Sequence, residues 1–199
     1  CIRDRYNTLN IINMLALENG DIDASNLIIS LSDMLQYTFR NKKELVVFRE
    51  EYQWLQNYLT IMQIRYEGKF EVRYNIDETV SDCMIPKLIL QPLVENAIMH
   101  GFRGLKRKGV LVIYAKKEDE KICIGVKDNG AGMTPETIRE AMEQTSNRIG
   151  LGNVIRRIQL LYGENGRVDI QSKAGEETEI RIYFLSLIHI SEPTRPEPI

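Results

Sequence analysis

Leu90-Gln91-Pro92-Leu93-Val94-Glu95-Asn96-Ala97-Ile98-Met99-His100-Gly101 is the stretch on which the reading of this chain turns. It lies mostly within Pro86–Met99, whose pattern predicts a single helix. Yet Gln91, Glu95, Asn96 and His100 are interleaved with Leu93, Val94, Ala97 and Ile98. Asn96 and His100 are four residues apart and share a face, as do Gln91 and Glu95. Buried without partners, such groups cost about 1–3 kcal/mol each. Either the helix satisfies them internally or it forms the wall of a polar cavity. The adjacent carboxylate and carboxamide of Glu95-Asn96 suit a magnesium ion that keeps waters and nucleotide phosphates as ligands, because Mg²⁺ takes oxygen donors and few protein bonds.

Downstream, the alternating run Lys121–Lys127 predicts a strand and leads into Asp128-Asn129-Gly130-Ala131-Gly132-Met133. Two glycines at alternate positions let the backbone turn sharply and admit a flat ligand closely. Asp128 can accept a hydrogen bond there from an exocyclic amine. Taken alone, Asn129-Gly130 is also an ordinary turn signal. Farther on, Arg148-Ile149-Gly150-Leu151-Gly152-Asn153 precedes the expected helix Asn153–Tyr162, which Gly163 stops. Glycine-rich backbone entering a helix presents free N–H groups and the positive end of a dipole, a cradle for phosphate, although a plain hinge has the same composition. Neither a Walker loop nor a dinucleotide fingerprint is present in that segment.

The remaining elements surround these motifs. Phe70–Tyr74, Val110–Ala115, Arg167–Ser172 and Thr178–Phe184 predict further strands, with hairpin turns at Lys116–Glu120 and Lys173–Glu177. Thr134–Gln144 predicts a helix capped by Thr134, with Pro135 in its first turn. Strand pairs with helices between them predict an α+β layered sandwich.

Upstream the period is helical. Tyr6, Leu9, Ile12 and Leu15 form one stripe, Leu27, Leu31, Met34 or Leu35, and Thr38 a second, and Phe48, Tyr52, Leu55, Leu59 and Met62 a third, with Gly20-Asp21 breaking the first two. Helices with one apolar face bury it against each other or against a partner chain. The third stripe is the broadest and predicts a dimerising bundle; a plain helical subdomain is the alternative.

Composition bounds the classes. The 199 residues are 43% apolar and 27% charged, with formal net charge −2. The densest basic stretch, Arg103–Lys108, is short, and no nucleic-acid groove is expected. Cys1, Cys83 and Cys123 have no metal-ligand spacing and read as reduced thiols. No apolar run approaches the ~20 residues that span a bilayer. Ser186–Ile199 resembles translated sequencing-adapter DNA and Cys1–Arg5 its counterpart, so residues 1–5 and 186–199 are expected to be foreign to the fold.

A polar helix, an Asp-glycine turn and a glycine-rich helix start, in that order, resemble the N box and two glycine boxes of the GHKL (Bergerat-type) ATP-binding fold, shared by histidine kinases, gyrase, Hsp90 and MutL. Gly175 and Thr178 stand where a last glycine box would fall. Tyr6-Asn7-Thr8-Leu9-Asn10 resembles the end of the phosphoacceptor box of LytS/YesM-type sensor histidine kinases, Asn-Pro-His-Phe-Leu-Tyr-Asn-Thr-Leu-Asn. Leu31–Tyr37 and Tyr58–Tyr66 resemble that family's next two helices. The likeness covers about Tyr6–Leu185 and divides it into a helical dimerisation region, 6–68, and an ATP-binding domain, 69–185.

The resemblance implies roles. Glu95 assists the attacking nucleophile, Asn96 holds Mg²⁺ across the phosphates of ATP, and His100 faces the phosphates. Asp128 pairs with the adenine amino group, Gly130 and Gly132 let the base lie close, and Gly150, Leu151 and Gly152 cradle phosphate beneath a lid over Met133–Ile149. It further implies a homodimer, phosphoryl transfer from histidine to a response regulator, and a cytoplasmic domain whose parent is anchored in the bacterial membrane by a sensor region. The aligned place of the acceptor histidine is Arg3; His100 belongs to the N box and His189 to the tail. Two other functions share the fold: an ATPase doing conformational work, which needs a transducer region, and a non-catalytic nucleotide-binding dimerisation module.

Overall fold

The computed structural model describes residues 2–40, 43–143 and 149–185. The tail Ser186–Ile199 with His189, the expected helix end at Gln144, Arg148, and Cys1 lie outside them. The apolar periodicity of the front half gives three helices, α1 (Ile2–Glu18), α2 (Ile22–Arg40) and α3 (Phe48–Arg65). Gly20, at φ +72°, makes the left-handed turn between the first two. The Asp21 carboxylate accepts from the Ala24 amide at 3.0 Å and caps α2. Among the described residues, no helix is long and apolar enough to cross a membrane.

Five strands make the main sheet: β2 (Phe70–Ile76), β4 (Gly109–Glu118), β5 (Lys121–Asp128), β6 (Arg167–Lys173) and β7 (Glu177–Leu185). Their order is β2-β4-β5-β7-β6, with β2 parallel to β4 and the other pairs antiparallel. Short β1 (Leu45–Val47) and β3 (Met84–Pro86) pair separately, Val46 opposite Ile85. Alternation puts Leu111, Ile113 and Ala115 of β4 on one face with Ile122, Ile124 and Val126 of β5 and Ile180, Ile182 and Phe184 of β7, all buried. Helices α4 (Gln91–Asn96), α5 (Pro135–Met142) and α6 (Ile149–Tyr162) supply the second layer, burying Leu93, Val94, Ala141, Val154 and Ile158 in the same core. The architecture is the expected α+β sandwich preceded by helices.

Three local expectations are revised. First, Pro86–Met99 is not one helix. Pro86 ends β3, Leu88 takes φ +57°, and α4 starts only at Gln91, continuing as a π turn over Ala97–Gly101. Pro92 fits the first turn, where an amide would be unpaired in any case. The amides of Leu88 and Leu90 are bonded to Glu51 instead of joining a helix. Second, α6 includes Gly150-Leu151-Gly152, which were expected ahead of it. Leu151 is buried with Val154, Ile155 and Ile158, a helical stripe that draws the first turn onto the core despite the glycines. Third, the stripe of α3 is covered within this chain. Phe48, Leu55 and Leu59 are buried, joined by Trp54 and Tyr58, in the core cluster that also holds Phe70 and Ile113.

Candidate nucleotide site

The alternation that buries Ile122, Ile124 and Val126 carries Asp128, the next residue in phase, onto the same covered face. Register then sets Leu111, Asp128, Thr178 and Ser172 in one row across β4, β5, β7 and β6. Thus the sheet's apolar face ends in a polar row. Asp128 is 3% exposed, and its Oδ1 accepts from the Gly130 amide at 2.8 Å. Burial lifts its carboxyl to about 6, with the Gly130 amide opposing and Glu177 adding slightly to the rise. Alongside, the Ser172 hydroxyl accepts from the Met133 amide at 2.8 Å, donates to the Glu177 carbonyl at 2.7 Å and lies 2.9 Å from the Thr178 hydroxyl.

Glycines press the turn after β5 against the end of the π turn. The Ala131 amide donates to the Gly101 carbonyl at 2.8 Å. A Cβ on Gly130 would stand 2.4 Å from that carbonyl oxygen, and one on Gly101 would stand 2.8 Å from Asp128 Oδ1. Gly132 adopts φ +68°, and a Cβ there would meet the Lys173 carbonyl at 2.1 Å. Asn129 fastens the base of the turn: its Oδ1 accepts from the Val110 amide at 2.7 Å, while Arg107 donates to the Asn129 carbonyl at 2.5 Å.

Between the turn and the π turn is a cavity of about 160 Å³, lined by Asn96, His100, Gly101, Arg103, Asp128, Ala131, Gly132, Met133 and Thr178. Its polarity is graded. The buried carboxylate of Asp128 forms the inner end, whereas His100 and Arg103 belong to the exposed surface. The volume suits a flat heterocycle; a whole nucleotide would extend past it toward the cationic side. The larger cavity of about 770 Å³ lies between α2 and α3, lined by Asp33, Gln36, Trp54 and neighbours, and holds none of the expected site residues.

Of the residues the sequence reading names, Asn96, His100, Asp128 and Gly132 line this cavity, and Gly130 lies buried behind Asp128. Glu95 does not line the cavity. Its Oε1 accepts from Gln91 Nε2 at 2.7 Å and from the Tyr58 hydroxyl at 3.4 Å, so its carboxylate is held toward α3. Burial and the neighbouring Glu95 raise the Tyr58 phenol well above its ordinary value, keeping it a donor. Gly150, Leu151 and Gly152 lie outside the cavity, in the first turn of α6 beside α4; a Cβ on Gly150 would come 3.5 Å from Pro92. Nothing in the sequence marks Arg103 or Ser172 as a site residue. Arg103 sits in a basic stretch resembling any solvated turn, and Ser172 is identified only by its register opposite Thr178.

Among the described residues, no cluster of three or more His, Cys, Asp or Glu side chains could cage a metal. Besides Asp128 and Thr178, the cavity is lined by Asn96, whose carboxamide oxygen fits an ion that takes its other ligands from phosphates and water.

Two family profiles match the chain: "Histidine kinase" over residues 5–70, and "Histidine kinase-, DNA gyrase B-, and HSP90-like ATPase" over residues 82–187. Sensor histidine kinase YpdA of Escherichia coli (strain K12) is 42% identical over 182 residues, 90% of this chain and 31% of that protein. Sensor histidine kinase YesM of Bacillus subtilis (strain 168) is 39% identical over 178 residues, 89% of this chain and 30% of that protein. The chain thus spans under a third of these relatives. The histidine kinase domain of the blue-light activated histidine kinase from Erythrobacter litoralis EL346 superposes with TM-score 0.56 at 16% identity, over 90% of this chain and 83% of that one, a likeness of fold.

Proposed function

The chain belongs to the histidine kinase-, DNA gyrase B- and HSP90-like ATPase family, on its sensor histidine kinase branch, and from that membership we propose that it is the helical and ATP-binding core of a two-component sensor kinase. The helical dimerisation region is 6–68 and the nucleotide domain 69–185. The observation that carries the reading is the buried carboxylate of Asp128 at the inner end of a glycine-walled cavity. The adenine amino group donates to that carboxylate, and Gly130 and Gly132 leave room for the ring. His100 and Arg103 attract the polyphosphate, whose negative charge would be unfavourable at the Asp128 end. The first-turn amides of α6 at Gly150, Leu151 and Gly152 support phosphate. Asn96 would hold Mg²⁺, which would supply neutralisation of the phosphate charge.

In the transfer, a neutral imidazole nitrogen forms a bond to the γ-phosphorus as the bond to the β-phosphate oxygen breaks and ADP leaves. Glu95, oriented by Gln91 and Tyr58, assists the nucleophile and the loss of its proton. The phosphoryl group then passes to an aspartate of a response regulator. At the position aligned with the acceptor histidine this chain carries Arg3, whose guanidinium stays protonated and offers no nucleophilic lone pair. The chain is the cytoplasmic part of a membrane-anchored parent and works as a homodimer.

Calorimetry with a non-hydrolysable ATP analogue and Mg²⁺ tests the site. Binding is expected in the chain as it stands and lost in Asp128→Ala and Asn96→Ala; unchanged affinity in both variants defeats the assignment. Replacing residues 1–5 with Asn-Pro-His-Phe-Leu is expected to yield an acid-labile, base-stable phosphoprotein from labelled ATP, while the unmodified chain takes no such label.

A further inference from the structure

Among the described residues, the carboxylate best shielded from solvent is not in the nucleotide cavity. Glu51, in the first turn of α3, is 0% exposed. Its Oε2 accepts from the Tyr37 hydroxyl of α2 at 2.7 Å and from the Leu88 amide at 2.8 Å, and its Oε1 from the Leu90 amide at 3.5 Å. Those amides belong to the strap Lys87–Leu90, which runs directly into α4. Leu90 is the N-cap of that helix and gives it no side-chain cap, so an acceptor from another helix takes up amides ahead of its first turn. Leu88 has a left-handed backbone, which a branched side chain adopts only when surrounding bonds hold it there.

The same strap is tied in the opposite sense. Lys87 Nζ donates to the Tyr37 carbonyl at 2.8 Å and the Thr38 carbonyl at 3.1 Å, near the C-terminal end of α2 where helix carbonyls lack intrahelical donors. The ammonium also lies 4.8 Å from the centre of the Tyr37 ring. From α6, Arg157 donates to the carbonyls of Lys87 and Glu44. Burial pushes the Glu51 carboxyl up and the Lys87 ammonium down, each opposed by the partners just named or by the other's charge. Four residues of strap are therefore held by α2, α3 and α6 at once, and α4, with Glu95 and Asn96, follows them.

We propose that Glu51 is a positioning residue for the nucleotide site: with Tyr37 and Lys87 it ties the end of α2 to the start of α4, so that a displacement of α2 moves Asn96 and Glu95. The nucleotide part of this rests on the function proposed above; the tie between α2 and α4 does not. Cutting the tie leaves the sheet and its core intact, because none of its bonds is made by a strand of the five-stranded sheet.

The test uses the full chain in three forms: unmodified, Tyr37→Phe and Glu51→Gln. Tyr37→Phe removes one hydroxyl and keeps the ring, so it decides alone if Glu51→Gln does not fold. Hydrogen exchange is followed first without nucleotide. In Tyr37→Phe the amides of Leu88 and of Leu93–Gly101 are expected to exchange about five-fold faster, the size of losing one net hydrogen bond, while β5 and β7 keep their rates. Unaltered exchange over 88–101, or an equal rise through the sheet, overturns the proposal; the latter marks an ordinary core contact. Calorimetry with the ATP analogue follows, and affinity in Tyr37→Phe is expected to fall about five-fold, with the melting temperature lowered by only a few degrees. Altered exchange with full affinity also overturns the positioning role. If the unmodified chain binds no analogue, the nucleotide reading fails, and the exchange result still decides the tie.

Discussion

Asp128 sets stability against binding. Its carboxyl, near 3.8 in an unfolded chain, rises to about 6 in the fold because burial disfavours the charged form. Between those values the folded chain holds a proton that the unfolded chain has released. Stability therefore falls as pH rises through that window and levels off above it. A rise from 3.8 to about 6 corresponds to about 3 kcal/mol, an upper figure for a group that relaxes and hydrates in part. Asp128→Asn keeps an acceptor for the Gly130 amide and removes the charge. Urea unfolding at pH 7.5 should show it more stable than the unmodified chain by about 1–3 kcal/mol, with the difference vanishing below pH 4. Analogue binding by the unmodified chain should weaken as pH drops below about 6, where the carboxyl becomes protonated. A less stable Asp128→Asn at pH 7.5 would show that the carboxylate has stabilising partners beyond Gly130.

At the scale of elements, α3 departs most from its sequence reading. Its stripe suggested an interface between chains, but Leu55 and Leu59 are 0% and 1% exposed among side chains of the same chain. Truncating a leucine in such a core costs about 2–5 kcal/mol. Leu55→Ala should lower stability by that amount in urea titrations, with no dependence on protein concentration. A concentration-dependent loss would return the stripe to an interface. The starts of α4 and α6 depart for related reasons. In α4 the amides ahead of the helix are taken by Glu51, and in α6 the packing of Leu151 outweighs the helix-weakening glycines on either side of it.

For the whole molecule, apolar surface left exposed is concentrated on the α1–α2 hairpin. Among the described residues Ile11, Met14, Leu17 and Ile22 are 54–66% exposed, whereas the sheet and its helices expose large apolar side chains only singly, Leu160 of α6 at 77% among them. Surface of that kind marks a site of association, and the homodimer proposed above would cover it by pairing hairpins. Replacing Ile11 and Met14 together with Glu should shift sedimentation equilibrium to monomer while leaving analogue affinity and the urea midpoint of the sheet domain unchanged. A dimer that survives both charges would put the interface elsewhere.

The sequence by itself determined the class of fold, the strands of the main sheet to within a few residues, the three front helices and the order of the nucleotide motifs. These depend on local periodicity and on glycines whose necessity is local. The family resemblance named Asn96, His100, Asp128 and Gly132, which line one cavity, together with Glu95, Gly150, Leu151 and Gly152, which do not. Only the tertiary structure decided that β2 runs parallel to β4, that Asp128 shares a row with Thr178 and Ser172, and that Arg103 borders the cavity. The same holds for Glu51, which in sequence stands with Glu44 and Glu50 near a helix start, a favourable place for solvated charge. Its partners at Leu88 and Leu90 are 37 and 39 positions away. Hydrogen-bonding capacity is a property of the residue; which buried donors meet it depends on how distant segments are brought together by packing.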